Sequence, residues 1–503
     1  MRYKPFPRCT PEEVGIPSSS VLQLLDNLEG DYTEIHSLMI MRHGKIAAEG
    51  WWNPYTPGLR HTMMSVSKTF SGTAIGIAAR EGLLSLDERI VDIFPEEVPY
   101  NAEENLRNVT IRHLLMMGCG VEYENPVNKT WVHDFFRLPF PHKPGTTFLY
   151  NNAPATLLAA ILERKSGQPM MEWLKPRLFD IIGIDCNRNT WFHAPDGTTF
   201  APGGLHARTE DILRLMKLYL NGGVWEEKRI LDEDYVRSAT RRQIDTASIG
   251  LGPKSDNIHG YGYMMWMGHI PGTYRAEGAN GQFGVVIPDL DMIIAITQSS
   301  PESPVSQKTL DHLWAFLSEI DPPVANLPQS RDSCVLANRL SRLAIPAEPF
   351  SPFGSFPMEG IMYRKEGEGV HPESLFYDPI HASDEADHIT GLTEFAFSAD
   401  PHRFIVRMDA VINGKMYHFD IPTDGSRALA ELPEIYVSIV ALSGYWKDDL
   451  TFSVRFRWME TVFVNEMDFC FFDNGCTVSV SSLRGIDPAR HEPKQFAAGG
   501  NEP

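Results

Sequence analysis

A serine stands three residues before a lysine in Ser65-Val66-Ser67-Lys68, at the start of an apolar helical stretch that closes near Arg80-Glu81-Gly82. Residues i and i+3 share one face of a helix turn, so hydroxyl and amine come within reach of each other. That spacing suits a nucleophile and its base. A serine hydroxyl attacks a carbonyl only when a neighbour takes its proton, and a lysine can do so once burial and nearby donors lower its basicity. The unpaired N–H groups and positive dipole end of a helix N-terminus disfavour the ammonium and favour a developing oxyanion. Lys68 is the only lysine of the chain with a serine three positions upstream. Taken alone, the pair also fits a helix-cap serine beside a surface lysine.

A proton relay would complete the pair, and Tyr150 in Pro144-Gly145-Thr146-Thr147-Phe148-Leu149-Tyr150-Asn151-Asn152 is the candidate. Tyr-x-Asn also occurs at Tyr123-Glu124-Asn125 and at Tyr219-Leu220-Asn221. Only the stretch at Tyr150 follows a Pro-Gly turn and runs straight into an amphipathic helix, with Asn152 placed as a cap or as a side-chain donor into a cleft. His142 and His206 have no partner spacing that would make a Ser-His-Asp triad. Gly-x-Ser-x-Gly, His-Glu-x-x-His and Walker-type loops are absent, so α/β-hydrolase, metallopeptidase and nucleotide-hydrolase readings find no support, and neither metal nor cofactor is expected.

The elements that must hold these residues are readable in outline. A helix around 18–28 leads to a hairpin, 35–41 and 46–51, turning at His43-Gly44-Lys45. Helical patterns follow at 111–117, 153–166 and 208–220, with Gly167 and Gly222 where C-caps belong. The aromatic run Trp131-Val132-His133-Asp134-Phe135-Phe136 reads as core or cleft wall. Short β-rich runs return at 260–267, 274–277, 283–287 and 292–297, before a helix over 307–320. Strands from both ends of residues 1–330 with helices between imply one antiparallel sheet packed by helices, an α+β domain with a helical insertion. Residues 331–349 are expected to be a linker. From 350 to 488 the pattern is all β, with Asn413-Gly414 and Asn474-Gly475 as hairpin turns and 450–458 alternating apolar and polar, one face buried and one wet. A barrel, lipocalin-like in outline, or a sandwich fits such spacing. Residues 489–503 are expected to be a disordered tail.

Composition limits the partners. The 503 residues carry a formal charge of −20 and no dense Lys/Arg run, which argues against nucleic acid and anionic membrane. Neither a secretory core at the N-terminus nor a stretch approaching about 18 uninterrupted apolar residues is present, so a cytoplasmic protein is expected. Six scattered cysteines without a Cys-x-x-Cys pair read as reduced.

Together the motifs resemble the serine β-lactamase-like hydrolases, especially class C β-lactamases, penicillin-binding proteins and related esterases, over about residues 8–320. Ser65-Val66-Ser67-Lys68 with Glu81-Gly82-Leu83-Leu84-Ser85-Leu86-Asp87 resembles the first motif, and Pro144-Gly145 through Tyr150-Asn151-Asn152 the second. Val109-Thr110-Ile111-Arg112-His113-Leu114-Leu115 resembles the segment between them, and Gly203-Gly204-Leu205 with Asp211 the later glycine turn and helix. The third motif departs: where the lactamases have Lys-Thr-Gly, this chain has Ala276-Glu277-Gly278, followed by Ala279-Asn280-Gly281-Gln282. Glu277 is either a charge in the site, which would disfavour a carboxylate substrate, or a strand residue paired with Arg275 or pointing to solvent.

The resemblance implies a catalytic set of Ser65, Lys68 and Tyr150, with Asn152, Glu277, Gly278 and Ala279 binding substrate and the Ser65 and Ala279 backbone N–H groups forming the oxyanion hole. It implies a serine hydrolase acting on a small ester, amide or short peptide. A D-amino-acid peptidase or a β-lactamase is the alternative, and a catalytically silent ligand-binding homologue is the rival of another class. Association into a homo-oligomer is left open.

Overall fold

The apolar run from Ile35 to Met41 becomes part of a buried strand, β1 (Glu34–Arg42), every residue of which is buried. The computed structural model describes the chain outside residues 1–3, 32, 124–129, 188, 248–253, 301–306, 321–325, 352–359, 366–368, 371–390, 401, 433–436, 474, 485–492 and 499–503. Helix α1 (Ser18–Gly30) precedes β1, and a turn at His43-Gly44 leads to β2 (Lys45–Trp51). Then come β3 (His61–Thr62), α2 (Val66–Arg80) and, after shorter helices, α3 (Asn152–Ser166). β4 (Thr190–Trp191), β5 (Leu205–Ala207) and α4 (Thr209–Leu220) follow. Beyond a short hairpin, Val224–Trp225 with Lys228–Arg229, the remaining strands of the main sheet follow: β6 (Trp266–Met267), β7 (Tyr274–Gly278), β8 (Gln282–Ile287) and β9 (Met292–Ser299). Helices α5 (Gln307–Ser318) and α6 (Arg331–Leu340) close this part of the chain.

The main sheet has six strands in the order β2-β1-β9-β8-β7-β6, so the start and the end of this region meet in one antiparallel ladder, Leu38 opposite Ile296. Strands β1, β7, β8 and β9 are buried along their whole length, and where β7 buries charge it pairs Arg275 with Glu277. Helix α2 is buried from Val66 to Ala78. A Cβ on its Gly76 would stand 2.6 Å from the Tyr235 ring, so the glycine lets that ring pack against the helix backbone. Trp131, Phe135 and Phe136 are core, not cleft wall.

Two expectations for this region need correction. Only Trp266–Met267 of the run 260–267 forms a ladder, because Gly260 (φ 110°) and Met264 (φ 54°) turn the chain out of the extended region. The segment 331–349 is not a plain linker. It contains α6, which packs on α1, and Leu343 sits where a Cβ on Gly50 would be 2.4 Å away. The boundary between two compact units falls at Leu343/Ala344.

Among the described residues the second unit carries ten strands: β10 (Tyr363–Arg364), β11 (Leu392–Asp400), β12 (Ile405–Ile412), β13 (Lys415–Pro422), β14 (Ala428–Glu431), β15 (Ile439–Trp446), β16 (Thr451–Trp458), β17 (Val464–Phe472), β18 (Gly475–Arg484) and β19 (Lys494–Ala498). They form one antiparallel sheet, β13-β12-β11-β10-β19-β18-β17-β16-β15-β14, which curls until its edges lie close together. It is a nearly closed barrel rather than a sandwich. Its interior is packed with aromatic rings, Phe395 and Phe397 lying 4.9 and 5.0 Å from Phe469. The hairpin turn at Asn413-Gly414 has both residues at positive φ, as a type I′ turn requires; Asn474 lies outside the described residues.

The alternating strand 450–458 does not have a wet face, since Ser453 and Arg457 are buried. Ser453 donates to Asp468 at 2.6 Å, Arg455 donates to Glu466 and Glu348 at 2.7 Å each, and Arg457 lies 3.5 Å from Glu348. The expected tail, 489–503, includes β19, which pairs with both β18 and β10 and buries Phe496; the rest of it lies outside the described residues.

Candidate active site

Ser65 is the residue before α2, and Met64 ahead of it holds φ 45°, a left-handed conformation rare for a residue with a side chain. The strain is held by neighbours. Met63 N–H donates to Leu205 C=O at 2.8 Å, and Leu205 N–H donates to Ser67 Oγ at 3.2 Å, tying the turn to β5. One turn into the helix, Lys68 is 1% exposed. Its Nζ lies 2.9 Å from each of Ser65 Oγ, Asn152 Oδ1 and the Pro202 carbonyl. An amide oxygen and a carbonyl can only accept, so they take two Nζ protons, and Ser65 Oγ faces either the third proton or, in the neutral amine, the lone pair.

Asn152 is the first residue of α3, and the capping role goes to Asn151, whose Oδ1 accepts from Ala153 N–H at 3.0 Å. Asn152 is thereby released to face Lys68. Asn151 also donates to the Tyr123 carbonyl at 3.1 Å, so one Tyr-x-Asn alternative contributes backbone rather than a phenol. The other, Tyr219, is buried beside Thr73, its hydroxyl 2.8 Å from Thr73 Oγ1. Tyr150 lies with its ring centroid 4.8 Å from Lys68 Nζ. Trp266 stacks on it at 5.5 Å and 20°, and Tyr261 meets it edge-on at 6.2 Å. Burial, with Tyr150 and Glu277 adding to it, pushes the Tyr261 phenol well above its ordinary range, so Tyr261 is a neutral wall.

Strand β7 reaches the same place from the sheet. A Cβ on Gly278 would stand 2.5 Å from the Met63 carbonyl and 3.0 Å from Met64 Cβ, so only a glycine lets the strand end come this close to the backbone entering Ser65. The following turn is pinned: Gly281 N–H donates to Gly278 C=O at 3.1 Å, Asn280 Nδ2 to Ser300 C=O at 3.0 Å, and Gln282 Nε2 to Ala279 C=O at 3.3 Å. Among the described residues, neither the Ser65 nor the Ala279 backbone N–H has an acceptor.

Glu277 is not an unpaired charge. It is 8% exposed, and its carboxylate accepts from Arg275 Nε at 2.6 Å and from Asn257 Nδ2 at 3.1 Å. Arg275, fully buried, donates onward to Asn257 and to the Met267 carbonyl and lies 3.6 Å from Asp256. Of the readings of Glu277, its pairing with Arg275 is what the structure contains. His206 is held neutral, its pKa lowered to about 3 by burial and by the Arg60 charge. Trp266, Tyr261 and the Pro202 carbonyl carry no local motif; only their meeting in space marks them.

This arrangement, an antiparallel sheet packed by helices with a buried lysine beside a serine at a helix start, is a β-lactamase-like fold. The chain belongs to the Beta-lactamase family, whose model matches residues 26–318, more than half of its length. It is 24% identical over 318 residues to the 6-aminohexanoate-dimer hydrolase of Paenarthrobacter ureafaciens, covering 58% of this chain and 80% of that protein. It is 23% identical over 357 residues to a candidate D-alanyl-D-alanine carboxypeptidase of Escherichia coli (strain K12), covering 58% and 81%. Among solved structures, a candidate 6-aminohexanoate-dimer hydrolase from Bacillus anthracis superimposes with a TM-score of 0.51 at 21% identity, over 65% of this chain and 90% of that one. The protein is accordingly a hydrolase of the serine β-lactamase-like superfamily.

Proposed function

We propose that the protein hydrolyses a small ester or amide through an acyl-Ser65 intermediate. Ser65 Oγ attacks the carbonyl carbon as its proton passes to Lys68 Nζ. The oxyanion takes hydrogen bonds from the Ser65 and Ala279 N–H groups. Tyr150 relays the proton to the departing alkoxide or amine, the acyl–leaving-group bond breaks, and a water deprotonated by the same pair then attacks the ester to release the acid and restore Ser65. Asn152 and Pro202 fix the amine, while Asn152 and Gly278 border the bound acyl group. The observation that carries this reading is the 2.9 Å contact between Lys68 Nζ and Ser65 Oγ, with two obligate acceptors on the same nitrogen.

The relatives are named for a 6-aminohexanoate dimer and for D-alanyl-D-alanine, which inclines the reading towards amides of small amino-acid-like molecules. Arg275 pairs with Glu277 and also lies near Asp256, so Glu277 is a paired carboxylate beside the site rather than an isolated charge. Hydrolysis of a panel of linear ω-amino-acid amides, D-Ala-D-Ala peptides, neutral esters and β-lactams by the full chain tests this. Turnover of linear amides or esters above β-lactams is the expected result, and turnover confined to β-lactams would overturn it.

A further inference from the structure

Four residues before Ser65, the ring of His61 belongs to a buried chain that the proposed mechanism does not use. His61 Nδ1 lies 2.9 Å from the Thr62 carbonyl, His61 Nε2 lies 2.8 Å from His36 Nδ1, and His36 Nε2 lies 3.1 Å from Glu34 Oε1. The three side chains are 3%, 1% and 6% exposed. Protons can be counted along this chain. A carbonyl only accepts, so His61 Nδ1 carries a proton; the contact between the rings needs a second, and the contact to Glu34 a third. Two neutral imidazoles supply only two. One proton more than two neutral rings and a carboxylate can provide is therefore shared by the chain, and imidazole, being more basic than a carboxylate, is where it sits. The Tyr55 ring stacks on His36 at 3.9 Å and 16°, and an aromatic face favours a cation.

Resting on the Ser65 reading above, we propose that Glu34, His36 and His61 form a buried carboxylate–imidazolium–imidazole latch that positions the nucleophile turn, with His36 and His61 as positioning residues. Its anchor is β1 in the main sheet; its load is β3, which pairs with β5 (His61 opposite Ala207) and passes directly into Met63, Met64 and Ser65. Titratable and charged groups packed against it include Tyr55 in the following loop, and, across the β3–β5 ladder, His206, which burial and the Arg60 charge keep uncharged.

The test is nitrogen-15 NMR of histidine-labelled full-length protein at neutral pH, with Glu34→Gln as the conservative variant. A glutamine amide can donate to His36 Nε2, so the variant keeps all three hydrogen bonds with two neutral rings. The expected wild-type result is one histidine protonated on both nitrogens, absent from a folded Glu34→Gln. As pH rises, the Met63 and Met64 methyl resonances should shift together with loss of that imidazolium, and the rate of Ser65 labelling by a phosphonate should fall with the same midpoint. In Glu34→Gln, whose three hydrogen bonds need no extra proton, both pH-dependent changes should vanish. Two neutral rings in the wild type, whether or not Ser65 reacts, would overturn the latch. An imidazolium whose loss leaves both methyl resonances unmoved would overturn its positioning role. Failure of Ser65 to label would count against the hydrolase reading alone, because the NMR arms do not need reactivity.

Discussion

Lys68 is held by two obligate acceptors: Asn152 Oδ1 and the Pro202 carbonyl each lie 2.9 Å from Nζ, and neither can be protonated to compete for it. Removing one of them should loosen the amine without emptying the core. Asn152→Ala is expected to slow acylation of Ser65 about 10- to 100-fold, and Lys68→Ala about 10²- to 10⁴-fold, the range of a lost general base; stopped-flow labelling with a chromogenic ester measures both. Ser65 and Lys68 were legible because they share one helix turn, where spacing in sequence is distance in space. The placement of Tyr150 and Asn152 beside Lys68 was legible through a Pro-Gly turn ahead of a helix. Asn151 as the cap, Trp266 and Tyr261 against Tyr150, and Pro202 under Lys68 were not, because each depends on a meeting of distant segments that no local pattern records.

Strand β7 works as an element by ending against the backbone that enters Ser65. Gly278→Ala would push a methyl into the Met63 carbonyl, so the variant is expected to lose about 1–3 kcal/mol of stability, the usual cost of overpacking, and most Ser65 labelling, read by thermal unfolding and intact mass. The same strand buries Arg275 between Glu277 and Asp256. Arg275→Ala would leave the buried Glu277 carboxylate without its guanidinium and is expected to destabilise by about 3–5 kcal/mol, measurable by urea denaturation. Strands of the main sheet could be read from unbroken apolar runs, and the hairpin at Asn413-Gly414 from its turn residues. Helix α6 was missed because flanking prolines suggested a linker, although Leu336, Leu340 and Leu343 keep helical spacing. β19 was missed because a five-residue strand anchored by Phe496 alone shows no period.

The whole molecule divides into Met1–Leu343 and Ala344–Pro503, and every proposed catalytic residue lies in the first unit. The second has a different sensitivity to pH. Burial raises the Glu348 carboxyl, but Arg457, Arg455 and Arg427 outweigh it and hold the group below its usual range; Glu466 is lowered likewise against its burial by Lys447 and Arg455. Carboxylates depressed in the folded state contribute stability above their unfolded values, about 4.3, and lose it as pH falls through the folded ones. The barrel is therefore expected to lose stability below about pH 4, with Glu348→Gln flattening that dependence, followed by the emission of Trp446 and Trp458. The central claim, an activated nucleophile at Ser65, is met most directly by intact-protein mass spectrometry after treatment with a serine-reactive phosphonate. One adduct on the wild type and none on a folded Ser65→Ala variant is the predicted result. An adduct that survives in Ser65→Ala, or a folded wild type that takes none, would contradict it.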